Sequence, residues 1–109
     1  MTTTYKVLGQ VAPLATTETD VYTVPAATQV VLSTVHVCNR GNTDTTFRLS
    51  LSVNGSATAT KDFLAYDAAL PANDFVALTL GLTLDTADVV RIYAGNNNIT
   101  VAVFGAELS

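Results

Sequence analysis

Val76-Ala77-Leu78-Thr79-Leu80-Gly81-Leu82-Thr83-Leu84 is the most regular stretch of the chain. Aliphatic side chains fill every even position, and small or polar residues fill every odd one. A period of two marks a β-strand with one face in a core, because successive side chains leave a pleated backbone on opposite sides. Gly81 interrupts the small-residue face and predicts a bulge or the close approach of another backbone.

The same reading holds on both sides of this strand. Upstream, Phe47, Leu49, Leu51 and Val53 alternate with Arg48, Ser50 and Ser52, which predicts one core face and one face toward solvent or a partner. Asn54-Gly55 supplies the positive φ angles of a tight turn and opens a polar stretch that runs to Lys61. A weaker strand is expected over Phe63 to Ala69, closed by the turn Pro71-Ala72-Asn73-Asp74. The segment Thr28 to Asn39 is long and apolar, so it is expected to be central and buried on both faces for part of its length. It ends at the turn cluster Asn39-Arg40-Gly41-Asn42.

Thr4 to Val11, interrupted by Gly9 and followed by Pro13, and Asp20 to Val24, stopped by Pro25, read as two further strands. Downstream, Asp85-Thr86-Ala87-Asp88 turns into Val89 to Ala94, and Gly95-Asn96-Asn97-Asn98 turns into Ile99 to Phe104. Glu18 and Glu107 are the only glutamates and Lys6 and Lys61 the only lysines, so strong helix formers are scarce, while β-branched Thr and Val recur throughout. The expected fold is all-β: a two-sheet antiparallel β-sandwich or jelly roll of about eight strands. Residues 1–109 form one domain on this reading, with residues 1–13 an N-terminal strand or an arm that contacts neighbours.

Composition narrows the function. The chain has 109 residues, 49% of them hydrophobic, which is enough for one core and too short for two. Charged residues are 13%, about half the roughly 25% usual for a soluble domain. Such a deficit is expected either where neighbouring molecules cover much of the surface or where small polar residues simply suit exposed strand faces. The net charge is −4, and the basic residues Lys6, Arg40, Arg48, Lys61 and Arg91 are scattered. Nucleic acid and anionic membranes are recognised by clustered Lys and Arg, so neither is expected as a partner. Edge strands normally carry charge or Pro against unwanted pairing, and such guards are few here.

Catalytic chemistry has little to work with. His36 is the only histidine and lies amid valines on the most apolar segment, where a packed or interface role is expected rather than a general base. Glu18 with Asp20, and Asp85 with Asp88, are the two neighbouring carboxylate pairs. Both sit where acids satisfy local backbone N–H groups, which is favoured over glycosidase chemistry or a calcium site. Cys38 is the only cysteine, so it forms no intrachain disulfide and no Cys-based zinc site, and in Val35-His36-Val37-Cys38 it reads as a small buried hydrophobe. Tyr5, Tyr22, Tyr66 and Tyr93 are expected to be strand residues with one edge in the core, or contacts for neighbouring subunits, rather than a sugar platform. Asn54-Gly55-Ser56 and Asn98-Ile99-Thr100 fit the N-glycosylation pattern but read as ordinary turns. No basic-then-apolar leader is visible in Met1 to Lys6, so a soluble product of a reducing compartment is expected. No catalytic residue, cofactor or metal is assigned.

Several segments resemble the small virion structural proteins of tailed bacteriophages, including phages of cyanobacteria. Thr19-Asp20-Val21-Tyr22-Thr23-Val24-Pro25-Ala26-Ala27-Thr28 is similar to their strand, Val-Pro and small-residue opening. Val35-His36-Val37-Cys38-Asn39-Arg40-Gly41, followed by Thr45-Thr46-Phe47-Arg48, is similar to their strand leading into an Asn-Arg-Gly turn. Pro71 to Asp74, Leu78 to Leu84 and Asp88 to Ala94 extend the likeness, which spans about residues 17–107. The resemblance implies a capsid decoration (cement) protein on the outer surface of the virion, made in the host cytoplasm. It would be a homo-oligomer, dimer or trimer, bound to the major capsid protein, with Met1 to Tyr5 as a clamp. A tail, baseplate or fibre component is the nearer alternative, and a carbohydrate-binding module the more distant one.

Overall fold

The computed structural model describes residues 2–109. Eight strands run in chain order: β1 (Thr3–Val11), β2 (Thr19–Thr23), β3 (Gln29–Asn39), β4 (Thr45–Ser52), β5 (Phe63–Leu70), β6 (Phe75–Leu84), β7 (Val89–Ala94) and β8 (Ile99–Leu108). They form two four-stranded antiparallel sheets: sheet A, in the order β1-β8-β3-β6, and sheet B, in the order β2-β7-β4-β5. Every connection except β4 to β5 crosses from one sheet to the other. This winding is that of an eight-stranded jelly roll. Residues 3–11, expected as a strand or arm, lie in register along β8, and Thr2 and Ser109 exchange backbone hydrogen bonds beside them. Met1 of the expected clamp lies outside the described residues.

The core fills the space between the sheets. From sheet A come Val30, Leu32, Val35, Val37, Val101 and Val103; from sheet B come Phe47, Leu49, Val90 and Ile92. Aliphatic residues thus face aliphatic residues across the sandwich, which is what the alternating patterns require.

Strict alternation does not survive in sheet A. Leu32 and Val35 are three residues apart, yet both are fully buried. A row of bulges explains this. Between Leu32 and Thr34, β3 carries one more residue than β8, where Gly105 and Phe104 are adjacent. Relative to β8, β1 likewise carries an extra residue at Leu8. Opposite Ser33, β6 inserts both Leu80 and Gly81. Gly81 has φ +63, so the bulge predicted from sequence is present, and open space surrounds its α-carbon. A Cβ on Gly105, by contrast, would meet the Val31 carbonyl oxygen at 2.2 Å, which leaves no room for any other residue where the bulged backbones converge.

Three expectations are corrected by this geometry. β3 is interior to its sheet but buried on one face only: Val31 is 44% exposed, and His36 and Cys38 are half-buried. Its near-continuous apolar run comes from the phase change at Ser33, not from cover on both sides. Cys38 accordingly points outward and is no core residue. On β4, Val53 leaves the strand for a short 3-10 turn and is 65% exposed, while Ser50 and Ser52 are buried. Arg91 explains the serines. Its guanidinium donates to Ser52 Oγ at 2.9 Å, to the Ser56 carbonyl at 2.8 Å and to Thr58 Oγ1 at 3.1 Å, folding the connection after β4 over the outside of sheet B.

The turns behave as their residues dictate. Asn54, Gly55 and Asn73 adopt positive φ. Asn39 is buried, and its amide donates to the carbonyls of Thr43 (2.8 Å), Leu70 (3.3 Å) and Pro71 (3.2 Å) while its oxygen accepts from the Gly41 N–H (3.0 Å). One side chain thereby joins the β3–β4 and β5–β6 connections. Leu49, fully enclosed at the centre of sheet B, sets a check on the core: Leu49→Ala is expected to lower stability by about 2–5 kcal/mol in urea denaturation.

Candidate functional site

Cross-strand partners share a face, so the register gives the outside of sheet A row by row. Tyr5, Ala106, Val31 and Thr83 form one row; Val7, Phe104, Thr34 and Thr79 the next; then Gln10, Ala102, His36 and Ala77; then Thr100, Cys38 and Phe75. None of these side chains is an acid, a lysine or an arginine. Tyr5 is 83% exposed and Phe75 60% exposed. The His36 ring stacks on Phe75, with centroids 5.0 Å apart and planes 19° from parallel. Beside them a shallow groove of about 550 Å³ is lined by Gln10, Ala12, His36, Cys38, Thr100 and Ala102. With strands about 4.8 Å apart and about 3.3 Å of rise per residue, the four rows cover roughly 400 Å² in projection. Apolar patches of that size are common on monomers and often functional, and here apolar side chains are interspersed with Thr, Gln10 and His36.

The outside of sheet B is built differently. Arg91 pairs with Asp20 at 2.9 Å and Arg48 with Asp67 at 2.7 Å. The Arg48 guanidinium lies 4.2 Å from the Tyr66 ring centroid and 4.6 Å from that of Tyr93, and Phe63 meets Tyr66 edge-on at 4.8 Å. Each charged side chain on the strands of this face has its partner within the chain. Arg48 already occupies a face of both tyrosine rings, so Tyr66 and Tyr93 do not make an open stacking platform.

The carboxylate pairs hold loops. Thr58 Oγ1 donates to Glu18 at 2.7 Å, in the network that Arg91 and Asp20 complete. Asp88 accepts from the N–H groups of Asn54 and Asp85, both at 2.9 Å, tying the β6–β7 turn to the end of β4. Asp85 accepts from the Thr86 N–H at 2.8 Å. His36 is on the opposite side of the sandwich from Glu18 and Asp20, and no carboxylate lines its groove among the described residues. No group of three or more His, Cys, Asp or Glu side chains with metal-binding geometry occurs among them either.

One polar cluster was not signalled by the sequence. Glu107 on β8 faces sheet B, where it accepts a hydrogen bond from the Tyr22 hydroxyl and pairs with Lys6 at 3.0 Å. Residues 85 and more apart in sequence meet here because β1, β8 and β2 converge at one end of the sandwich. The Tyr22 hydrogen bond, then Lys6, holds the Glu107 carboxyl below its ordinary range. Burial, then the Glu107 carboxylate, pushes the Tyr22 phenol above its usual value near 10. The chain matches no protein-family model and no curated protein.

A carboxyl whose folded-state pKa is depressed stabilises the fold above its unfolded value and loses that contribution as pH falls through the folded value. Stability is therefore expected to decline as pH drops below about 4.5. Urea denaturation from pH 7 to pH 3 should show a shallower decline for Glu107→Gln than for the unaltered chain. The raised Tyr22 phenol acts with the opposite sign: its contribution is complete below pH 10 and fades as pH rises above it.

Proposed function

We propose that this chain is a virion structural protein of a tailed bacteriophage, a capsid decoration protein that docks on the major capsid protein through the outer face of sheet A. The observation that carries the reading is the charge-free surface from Tyr5 to Phe75, set against a sheet B exterior whose strands carry two arginines and two aspartates in internal pairs. A face without ions avoids the large desolvation cost of burying charge, and its Thr, Gln10 and His36 groups need only hydrogen-bond partners across the contact. The resemblance over residues 17–107 supports the virion context. The jelly roll is compatible with it, since viral capsid domains use that architecture, but lectins and cupins use it too, so fold alone does not choose.

The mechanism is additive. A decoration protein bridges capsomers and adds buried interface at their junctions, which resists the outward pressure of packaged DNA. Interfaces of standard size bury about 1,600 Å² in total, and repetition over a lattice turns modest single affinities into a stable coat.

Electron microscopy of phage particles carrying an epitope-tagged copy tests the reading. Label over the whole capsid is the expected result. Label confined to one vertex would transfer the chain to the tail or baseplate, and its absence from purified particles would overturn the virion reading. Ala102 lies half-buried at the middle of the face. Ala102→Glu is expected to leave thermal unfolding nearly unchanged while weakening attachment to capsids stripped of this protein at least about 10-fold, because a carboxylate would be buried without a partner.

A further inference from the structure

Four strands have an open edge, and three of them are guarded. β1 carries Lys6 and the Leu8 bulge. β2 has only five residues, with Asp20 and a register break among them. β5 carries Asp67 at φ 49 and two register breaks against β4. β6 is different. It too has a register break, at Leu80 and Gly81, but it runs for ten residues without a charge or a proline, and its outer backbone groups face no other strand among the described residues. Its core-side residues Val76, Leu78 and Leu82 are only partly buried, and Leu80 is 38% exposed. A long, uncharged edge of this kind is a template for another strand.

The sequence of that edge specifies which strand fits. Leu78-Thr79-Leu80-Gly81-Leu82-Thr83-Leu84 reads the same in both directions. We infer that β6 pairs antiparallel with β6 of a second copy about a two-fold axis at Gly81, joining two copies of sheet A into one eight-stranded sheet. In that register Leu78 meets Leu84, Thr79 meets Thr83 and Leu80 meets Leu82, so leucines pair on the core side and threonines on the outer side. No like charges oppose each other, since the strand has none. Gly81 sits at the axis, where a Cβ would meet nothing within 4 Å beyond its chain neighbours, and the edge it lies on is open. The contact is isologous, so it closes as a dimer and does not propagate into a fibre. Because the axis is normal to the sheet, both outer faces end on the same side and the dimer presents a doubled uncharged surface. The inference rests on reading the chain as a self-associating structural subunit, and it names the surface that does so.

Sedimentation of the purified full chain at tens of micromolar tests it without any particle, so its failure is separate from failure to attach to a capsid. The unaltered chain is expected to be a dimer. Thr79 and Thr83 are exposed, so Thr79→Lys with Thr83→Lys should keep the fold while setting four ammonium groups across the axis, weakening the dimer at least about 10-fold. Val53→Lys, in the exposed turn after β4 on the other sheet, should leave it intact. A Thr79→Cys and Thr83→Cys variant in a Cys38→Ser background should form a disulfide-linked dimer under mild oxidation, and this decides the matter if the lysine variant fails to fold. A monomeric unaltered chain, a dimer that survives the two lysines, a dimer lost to Val53→Lys, or cysteines that do not cross-link would each overturn the pairing.

Discussion

The structure depends on a row of bulges that crosses sheet A from Leu8 through Ser33 to Leu80 and Gly81. A pleated strand can keep only one residue parity inward, so a strand of ten or eleven residues with apolar residues at Val30, Leu32, Val35 and Val37 cannot bury all of them unless one extra residue is absorbed. β3 absorbs it at Ser33, while β8 runs through without an insertion and β6 inserts Leu80 and Gly81 opposite. Gly105 lets the backbones converge there, and Gly81 supplies the left-handed conformation on the edge strand. Without that row, the half of β3 beyond Ser33 would turn its valines to solvent, and the core against Phe47, Leu49 and Ile92 would not form.

The same constraint shapes the outside. Once the phase is set, every acidic and basic side chain of sheet A lies either between the sheets or beyond the strands. Lys6 and Glu107 fall on the inner parity, where Tyr22 reaches across from sheet B to complete a cluster at one end of the sandwich. What is left outside is uncharged: alanines, threonines, valines, a stacked His36 and Phe75, and an exposed Tyr5. Sheet B takes the complementary role. Its four outward charges pair off, and Arg91 pulls the connection after β4 across the serines of that strand. A domain with one ionically satisfied exterior and one charge-free exterior is suited to sitting on another protein with its charged side toward solvent.

Much of this was legible in the chain. Alternation from Val76 to Leu84, the turn residues at Asn39-Arg40-Gly41, Asn54-Gly55 and Pro71 to Asp74, and the scarcity of helix formers gave the strand count and the all-β class. The low charged fraction pointed to a surface meant for contact. Expectation and structure part where alternation changes phase or a distant side chain intervenes: Cys38 follows the buried Val37 yet faces outward, and Ser52 is buried beneath Arg91, which nothing local announces.

Sequence by itself determined that the chain would be a β-sandwich with one core, where its turns would lie, and that Gly81 was a place for a bulge or a close backbone approach. These are consequences of local sterics and of side-chain period, which act within a few residues. Tertiary structure alone decided which strands became neighbours, and therefore which residues shared a face. The uncharged surface draws on β1, β3, β6 and β8, and its rows bring together residues such as Tyr5 and Ala106 that only cross-strand pairing places side by side. A property of a face belongs to the register between strands, and register is fixed by the packing of the whole core.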